Sequence, residues 1–362
     1  MENIFNIDIH ESFMSLALKN ASKGKGSVSP NPMVGCILVK DGEIISEGYH
    51  QKYGDPHAEV MAIRNARRDP HDSIAYINLE PCCISGKTPP CTEVLIENGI
   101  SEVYISMLDP NPRVNGKGIE QLNKAGIKTH VGLLEESAMK LNQGFSKWIC
   151  NKIPFVIAKV AQSSNGFMGI DSNSSVWLTG ESAVQHTHNL RANVDAILIG
   201  RQTALIDNPS LTVRNVNGVN PKRIILDTNR TLPLDLNIFN DKEAETIVLC
   251  SNSKFNNSQT HFCKYISVEE QEFSLSPHAV LKAVANEGIT SLLIEGGRSV
   301  LESFQSENLI DKIYMYTSSE ELHQANLKNP IVISNDWQIL KEESLGDDTV
   351  LVAKKGEQCL QV

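Results

Sequence analysis

The residues with the clearest chemical potential lie in two short stretches of the first half of the chain. The segment LEPCCISGKTPPC, residues 79–91, places Cys82, Cys83 and Cys91 within ten positions. Upstream, PHAEV carries His57 and Glu59. One histidine and two cysteines give zinc three protein ligands and leave the fourth position open, as in catalytic rather than structural sites. The two stretches therefore predict a zinc ion that takes part in a reaction.

The placement of these residues supports that interpretation. His57 and Glu59 stand at the start of a predicted helix, where both can face a site in front of the first turn. Zinc acidifies a bound water toward neutral pH, and Glu59, which is no ligand, can pass the water's proton to a leaving amine. H-x-E followed by P-C is the pattern of zinc-dependent deaminases. An isolated histidine or cysteine pair would more commonly fill a core.

Size and composition limit the class of protein. The chain has 362 residues, of which 41% are hydrophobic and 21% charged, as expected for a globular enzyme of two domains. Its net charge of −10 argues against a polynucleotide partner but allows a small phosphorylated substrate. No apolar run reaches the roughly 18 residues of a membrane span. Eight scattered or unpatterned cysteines do not resemble a secreted disulfide framework, so we expect a cytoplasmic protein.

Strand and helix patterns alternate along both halves of the chain, which predicts two α/β domains. VGCILVK and EIISEGY, joined at Asp41 and Gly42, are typical of a hairpin. A new alternating run begins with FVIAKVAQ after Pro154, so we place the domains at residues 1–150 and 151–362. The stretch from about Ser251 to Ser276 is polar and predicts surface loops with one short strand.

A second candidate site lies in SLLIEGGRSVLESF, a predicted strand followed by Gly296, Gly297 and a helix. Glycine allows close approach to a phosphate, and a helix N-terminus supplies free N–H groups. The same residues could also form an ordinary strand-to-helix turn. No G-x-G-x-x-G is present, so a Rossmann fingerprint is absent.

Larger motifs of the first half resemble the deaminase half of the bifunctional RibD family of riboflavin biosynthesis. That family has E-P-C, eight residues that include G-x-T-P-P, and a second cysteine, which EPCCISGKTPPC matches. The stretches SPNPMVGCILVKDGEIISEGYHQKYGDPHAEV and DPNPRVNGKGIEQLNKAGI are also similar. The resemblance implies a cytidine-deaminase-like α/β/α domain, zinc ligands His57, Cys82 and Cys91, and substrate contacts from Asn31 and His50. Ile84 stands where the family usually has a histidine.

The second half is similar to the reductase half of the same family, through SSVWLTGESA, LRANVDAILIGRQTALIDNPSLTVR, RIILDTNRTLP and LLIEGGRSVL. The resemblance implies a dihydrofolate-reductase-like α/β domain that uses NADPH. The cofactor contacts it implies are Ala161, Trp177, Thr203, Asp207, Thr228, Gly297, Arg298 and Ser299. The substrate contacts it implies are Ser175, Arg191, Leu211, Arg214 and Glu295. Without the resemblance, Trp177 would be interpreted as a core aromatic.

The resemblance implies two consecutive reactions. The first is hydrolytic deamination of 2,5-diamino-6-ribosylamino-4(3H)-pyrimidinone 5′-phosphate at the zinc site. The second is NADPH-dependent reduction of the ribosyl side chain to ribityl. The family also suggests a homodimer or homotetramer formed through the reductase domain, and neither nucleic acid nor membrane is expected as a partner.

Three alternatives remain open at this stage. The first is a deaminase with a degenerate reductase half, since Asn165 replaces a usual aspartate, Val184 replaces a usual arginine, and TSSEELHQANL after Tyr316 departs from the family. The second is a nucleic-acid base deaminase, against which the charge of −10 argues. The third is a binding module in which zinc is structural.

Overall fold

The chain divides into two compact units, Met1–Lys152 and Ile153–Val362. The computed structural model describes residues 2–85, 89–170, 175–256, 263–271 and 274–356. None of the helices described there is long and apolar enough to cross a membrane.

The helices and strands of the first unit alternate. They are α1 (Glu2–Ala21), β1 (Gly35–Lys40), β2 (Glu43–Tyr49), α2 (Ala58–Arg64), β3 (Ile74–Leu79), α3 (Cys91–Glu97), β4 (Glu102–Met107), α4 (Lys117–Lys124), β5 (Lys128–Val131), α5 (Glu135–Leu141) and α6 (Gln143–Asn151).

These elements form a three-layer α/β/α unit. The strand order is β2-β1-β3-β4-β5, in which β1 is antiparallel to β2 and β3 and β3, β4 and β5 are parallel. Met14 and Ala17 of α1 pack on one face against Tyr76. Leu95 of α3 and Leu122 of α4 pack together with strand residues in a separate cluster. Buried apolar runs in β1 and β3 fit strands that are covered on both sides.

The turn between β1 and β2 and one glycine of β2 fix the position of α2. Asp41 and Gly42 have φ of 54° and 78°, the left-handed conformation that two-residue hairpin turns require, so the predicted hairpin is confirmed. Gly48 of β2 lies directly under α2, since a Cβ atom there would come within 2.3 Å of the carbonyl oxygen of Ala58. The helix that begins after His57 is therefore held close to the sheet.

The second unit is built from a longer set of elements. They are β6 (Phe155–Gln162), β7 (Phe167–Gly169), α7 (Glu181–Arg191), β8 (Ala196–Gly200), α8 (Arg201–Asp207), β9 (Lys222–Leu226), α9 (Asn237–Asn240), β10 (Thr246–Ser251), β11 (Lys264–Val268), β12 (Glu270–Gln271), β13 (Ser274–Leu275), α10 (Pro277–Asn286), β14 (Ser291–Ile294), α11 (Arg298–Ser306), β15 (Lys312–Thr317), β16 (Leu327–Lys328), β17 (Trp337–Leu345) and β18 (Asp348–Lys355).

One sheet of nine strands organises this unit, with the order β11-β10-β9-β8-β14-β6-β15-β18-β17. The strands from β11 to β15 are parallel, and β18 and β17 add an antiparallel edge. Two buried apolar clusters contain residues of the sheet and of the helices packed on it. The carboxyl ends of β6, β8, β9 and β14 therefore lie along one edge, where α/β sheets bind ligands.

The segment between Ser251 and Ser276 holds more structure than its polar sequence indicates. Strand β11 pairs in parallel with β10, and β12 and β13 form a small antiparallel ladder. The sequence of β11 does not show the buried apolar pattern of a core strand, because β11 is largely exposed. It forms a strand because it pairs with β10, which is buried along its whole length.

Candidate active sites

Three side chains of the first unit come together in a group that could hold a metal ion. The ligand atoms of His57, Cys82 and Cys91 all lie within 4.8 Å of one another. Nδ1 of His57 is 3.2 Å from Sγ of Cys91 and 3.6 Å from Sγ of Cys82. Among the described residues, no other group of three histidine, cysteine or acidic side chains comes together in this way. Cys83 is not a member of the group.

The sheet positions each of these ligands at the end of a secondary-structure element. His57 is the N-cap of α2 and Cys91 is the first residue of α3. Cys82 lies just beyond β3, and its loop folds back onto α3, since the amide N–H groups of Cys91 and Thr92 donate to Sγ and to the carbonyl oxygen of Cys82. Residues 86–88 of the G-x-T-P-P insert lie outside the described residues.

The carboxyl group of Glu59 points into the same place. Glu59 is 3% exposed, and its Oε2 atom has no hydrogen-bond partner among the described residues. Burial raises the pKa of Glu59, and the charge of Cys82 acts in the same direction. A buried carboxyl oxygen without a partner is costly unless the function provides one. Beside a His-Cys-Cys set, it fits a zinc ion that carries an exchangeable ligand.

The sulfur chemistry also suits a metal. A hydrogen bond from the Cys91 thiol lowers the pKa of Cys82 well below that of an ordinary thiol, and the hydrogen bond with His57 acts the same way. A thiolate is the form of cysteine that binds zinc. The donor set therefore fits zinc better than Mg²⁺ or Ca²⁺, which prefer oxygen ligands.

Asn31 and His50, the two predicted substrate contacts, lie together beside this group. Nδ1 of His50 is 3.1 Å from the carbonyl oxygen of Pro56, which can only accept, so Nδ1 carries the proton. Nε2 then accepts a hydrogen bond from Nδ2 of Asn31 at 3.1 Å. The His50 ring lies 5.4 Å from the His57 ring, edge to face. Burial lowers the pKa of His50, so its neutral form is favoured.

Sequence reasoning missed two carboxyl groups near Cys82. Glu80 is buried and accepts hydrogen bonds from the backbone N–H groups of Asp109, Gly116 and Gly118, which ties the end of β3 to the start of α4. Burial raises the pKa of Asp109 to about 6, and Glu80 and Cys82 add to this. The glutamate of E-P-C, Glu80, could have been singled out in the sequence. Its hydrogen-bond partners could not, because they lie about thirty or more residues further along the chain.

In the second unit, two of the predicted substrate contacts pair with each other. Nε and Nη2 of Arg191 donate to Oε1 and Oε2 of Glu295 at 2.7 and 2.9 Å, and Nη1 donates to the carbonyl oxygen of Thr212. Both side chains are largely buried. Arg191 is the last residue of α7 and Glu295 follows β14, so the pair stands at the ligand edge of the sheet.

Lys159 is a further polar residue at this position that sequence reasoning missed. It lies on β6, and its ammonium group is 5.4 Å from the centre of the Tyr316 ring. Burial lowers the pKa of Lys159, while the charge of Glu295 opposes this and that of Arg191 adds to it. The sequence does contain a signal for this residue, because Lys159 interrupts the apolar run FVIAKVAQ. Lysine is seldom buried in a strand unless it has a partner.

The other predicted substrate contacts are Arg214, Leu211 and Ser175, and they do not bond to the Arg191–Glu295 pair among the described residues. The backbone N–H of Arg214 donates to Nδ1 of His188 on α7. Leu211 is buried with φ of 53°, so its backbone has the left-handed conformation that is uncommon outside glycine. Ser175 is exposed and follows residues 171–174, which lie outside the described residues.

Some of the predicted cofactor contacts lie in the segments that follow β8, β9 and β14. A Cβ atom on Gly297 would come 3.1 Å from Oγ1 of Thr203, so the starts of α11 and α8 approach each other closely. Gly200 and Gly296 leave the space that Val300 needs, since Cβ atoms there would come within 2.8 and 2.9 Å of it. The remaining predicted contacts are in these elements: Ala161 in β6, Asp207 at the end of α8, Thr228 after β9, and Arg298 and Ser299 in the first turn of α11.

Trp177 is 83% exposed, which rules out a role in the core. A large aromatic ring exposed to solvent suits a contact to a planar ligand. Glycines that admit backbone groups, a free helix N-terminus at α11 and an exposed tryptophan together fit a dinucleotide.

Comparison with known proteins identifies the family of each domain. Residues 7–107 match the family model for the cytidine and deoxycytidylate deaminase zinc-binding region, and residues 154–320 match that for the RibD C-terminal domain. Riboflavin biosynthesis protein RibD of Aquifex aeolicus (strain VF5) is 37% identical over 357 residues, 96% of this chain and 99% of that protein. RibD of Escherichia coli (strain K12) is 34% identical over 326 residues, 86% and 88% of the two chains.

Solved structures give the same result. A crystal structure of a diaminohydroxyphosphoribosylaminopyrimidine deaminase/5-amino-6-(5-phosphoribosylamino)uracil reductase from Thermotoga maritima has a TM-score of 0.86 and 32% identity, covering 97% of this chain and 99% of that one. Acinetobacter baumannii RibD has the same TM-score and identity, covering 97% and 100%.

The predicted fold classes are confirmed, since a deaminase domain precedes a reductase domain and the match spans almost the whole chain. With a zinc-type ligand set in the first domain and a reductase of the NADPH-using type in the second, the chain belongs to the RibD family of bifunctional riboflavin biosynthesis enzymes.

Proposed function

We propose that residues 1–150 catalyse hydrolytic deamination of 2,5-diamino-6-ribosylamino-4(3H)-pyrimidinone 5′-phosphate, with His57, Cys82 and Cys91 holding the zinc ion. The metal, when bound, supplies Lewis acidity that lowers the pKa of a coordinated water to about 7. The observation that carries this proposal is Oε2 of Glu59, buried without a partner among the described residues and beside the three ligand atoms. Glu59 is placed to accept a proton from water and to deliver it to the departing amine.

His50 and Asn31 are the substrate contacts that we assign to this site. With Nδ1 held by the carbonyl oxygen of Pro56, the His50 ring is fixed in one orientation, and its neutral state avoids repulsion with a metal ion. Nδ2 of Asn31 has a second hydrogen atom that can reach a carbonyl or ring nitrogen of a pyrimidine. The two side chains therefore orient the ring while Glu59 moves the proton.

We assign the reduction of the ribosyl group to residues 151–362. The Arg191–Glu295 pair lies at the edge of the sheet, and the charge of Glu295 influences Lys159, so these side chains can fix the polar end of a substrate. Nε, Nη1 and Nη2 of Arg191 already donate hydrogen bonds within the protein. We therefore assign the ribose phosphate to Arg214 and Ser175. NADPH, when bound, supplies the hydride. Residues 297–299 and Thr203 would hold its phosphates.

The hydrogen bonds of Asn165 explain why this residue differs from the aspartate that is usual in the family. Oδ1 of Asn165 accepts hydrogen bonds from Ser163 and from the backbone N–H of Leu322, and its Nδ2 donates back to the carbonyl oxygen of Leu322. An asparagine serves this turn better than an aspartate could, because the amide both donates and accepts. Asn165 therefore gives no support to a degenerate reductase half.

The test is to supply purified protein with the phosphorylated diaminopyrimidine and to follow ammonia and NADPH absorbance in one reaction. We expect ammonia release first and NADPH oxidation that depends on it. Ammonia without NADPH oxidation would establish the deaminase-only alternative. A zinc-loaded protein that gives neither signal would overturn both activities.

We further propose that the enzyme acts in the cytoplasm and forms a homodimer or homotetramer through the reductase domain. Strand β17 is one edge of the nine-stranded sheet, and Ile339 and Leu340 on it are exposed. Edge strands with exposed apolar residues are commonly covered in oligomers. Light scattering coupled to size-exclusion chromatography, with Ile339→Lys as the interface variant, tests this.

A further inference from the structure

The loop between α8 and β9, residues 208–221, carries two of the predicted substrate contacts, Leu211 and Arg214. All of its residues are described, and none of them belongs to a helix or strand. Leu211 and Asn215 have positive φ values, 53° and 63°, a backbone conformation that costs free energy in most residues other than glycine. Contacts from outside the loop are therefore needed to hold it in one conformation.

The last turn of α7 supplies such contacts. Nδ1 of His188 accepts a hydrogen bond from the backbone N–H of Arg214 at 3.1 Å. Nη1 of Arg191 donates to the carbonyl oxygen of Thr212 at 3.2 Å. Residues three positions apart on a helix lie on the same face, so one turn of α7 holds two nearby points of the loop. His188 is 3% exposed, and its hydrogen bond is therefore shielded from water.

Other contacts close the loop on itself. The backbone N–H of Val213 donates to Oδ1 of Asn220 at 2.8 Å. Gly218 lies against the residue that follows α7, since a Cβ atom there would come 2.5 Å from the Cβ atom of Ala192. The loop is thus folded against the end of α7, and His188 sets the position of the backbone at Arg214.

His188 has to be neutral to make this contact. A backbone N–H can only donate, so Nδ1 of His188 carries no proton. Burial lowers the pKa of His188, and the charges of Arg191 and Arg214 act in the same direction. Glu295 and the backbone of Thr212 act in the opposite direction but are outweighed. The neutral ring is therefore the form that holds the loop.

We infer that His188 is a positioning residue of the reductase domain, which fixes the backbone at Arg214 so that the guanidinium group of Arg214 faces the ribose phosphate of the substrate. The inference rests on the proposed reduction and on the assignment of that phosphate to Arg214. It adds a residue that the motifs of the family resemblance do not include. His188 acts through Arg214 and makes no contact with the substrate itself. Without it, the loop would have to be ordered on binding, which weakens affinity.

The test is steady-state kinetics of the full-length protein with 5-amino-6-(5-phosphoribosylamino)uracil and NADPH. His188→Phe keeps a ring of similar shape but removes the acceptor for the N–H of Arg214. We expect the KM for the pyrimidine to rise roughly 5- to 50-fold, because a buried donor loses its partner. The kcat and the KM for NADPH should change less than about threefold, because the loop contact acts on substrate binding.

A double-mutant cycle with Arg214→Gln distinguishes positioning from general structural damage. If His188 acts through Arg214, adding His188→Phe to Arg214→Gln should raise the KM for the pyrimidine by less than about a further twofold. A full effect of His188→Phe in both backgrounds would overturn the inference.

His188→Asn is the rescue variant. Its amide oxygen occupies nearly the place of Nδ1 and can accept from the N–H of Arg214, so the KM should return to within about threefold of the wild type. Unlike histidine, the amide does not titrate. As the pH falls from about 7.5 to about 5, the KM of the wild type should rise relative to that of the Asn variant, because a protonated Nδ1 can no longer accept. Titration of the substrate phosphate affects both proteins equally, and a constant ratio would overturn the inference.

His278→Phe is the matched control. His278 lies on α10, is 56% exposed and faces Glu307. The buried residues of α10 belong to a different apolar cluster from that of Leu211, so the same exchange here should leave every kinetic constant unchanged. Circular dichroism and the melting temperature show that each variant is folded. If His188→Phe does not fold, the pH dependence of the Asn variant decides the question.

The remaining outcomes separate this inference from the proposed function. An unchanged KM for the pyrimidine in His188→Phe would overturn the role of His188 and leave the reductase function standing. Parallel losses in kcat and in both KM values would also overturn it, since they would indicate damage to the whole site. A wild-type protein that oxidises no NADPH with this substrate would overturn the reductase function and, with it, the inference.

Discussion

Arg191 and Glu295 are joined by two hydrogen bonds, at 2.7 and 2.9 Å, that connect the last residue of α7 to the loop after β14. Both residues are predicted substrate contacts, and the structure places each as the other's partner. The charges of these two predicted contacts are therefore paired before any ligand binds. A site of this kind is pre-organised, so less ordering is required on binding.

The pair should give the reductase domain a pH-dependent stability. Burial by itself raises the pKa of Glu295, but the charge and hydrogen bonds of Arg191 outweigh it, so the pKa is lowered overall. A carboxyl group with a lowered folded pKa stabilises the protein above its unfolded pKa of about 4.3, and this contribution disappears as the pH falls through the folded value. We expect Glu295→Gln to cost about 3–5 kcal/mol at pH 7 and less below about pH 4.

Urea unfolding at several pH values measures this difference. Glu245→Gln, which removes the exposed partner of Lys222, should cost less than about 1 kcal/mol at every pH. A cost for Glu295→Gln that stays constant down to about pH 3 would contradict the assignment.

The three neighbouring cysteines should separate by metal content. Cys83→Ser should retain one zinc ion per chain, because Cys83 is outside the ligand group, whereas Cys82→Ser or Cys91→Ser should lose it. Elemental analysis after dialysis measures the ratio. Zinc loss in the Cys83 variant with retention in the Cys82 variant would reverse the ligand assignment.

Glu59→Gln should leave the metal in place and remove the deaminase activity. The amide has nearly the same shape but cannot carry a proton, so we expect a fall of roughly 10²- to 10⁴-fold in kcat. Zinc content and folding should match the wild type, since Oε2 of Glu59 has no hydrogen-bond partner to lose among the described residues. Full activity of the Glu59→Gln variant would show that the zinc site does not use this carboxyl group.

Gly48→Ala tests how the sheet holds α2. The new methyl group would stand 2.3 Å from the carbonyl oxygen of Ala58 and from the amide nitrogen of Ala62, so the helix must move. We expect a loss of about 3 kcal/mol, near the upper end for overpacked cores, and weaker zinc binding because His57 caps this helix. Ile44→Ala, exposed on the same strand, is the control and should bind zinc normally.

Trp177→Ala should separate stability from cofactor binding. Because the side chain is 83% exposed, the melting temperature should be almost unchanged. NADPH affinity should fall by about fivefold or more, since loss of a large aromatic contact typically costs over about 1 kcal/mol. The exposed Val332→Ala variant should alter neither quantity. Unchanged NADPH binding in the Trp177 variant would remove this residue from the cofactor site.

Local patterns in the sequence were enough to predict some of these features. The hairpin at Asp41 and Gly42 follows from turn chemistry, and the H-x-E and E-P-C motifs single out His57, Cys82 and Cys91, which the structure brings together. Features that depend on distant partners could not be predicted: Glu80 holds backbone N–H groups from residues 109 to 118, and Lys159 gains its role only beside Glu295. The exposure of Trp177 could not be predicted from pattern either, because an exposed tryptophan and a core tryptophan look alike in a sequence.

The origin of the three proposed zinc ligands in separate segments has a consequence for the order in which the protein matures. His57 caps α2, Cys82 follows β3 and Cys91 begins α3, so the ligands meet only after these elements have docked on the sheet. Metal uptake should therefore report the completion of folding in the first unit, and a chelator should destabilise that unit while the reductase domain keeps its melting behaviour. During synthesis, zinc would be acquired as a finishing step and would lock the deaminase domain against local unfolding.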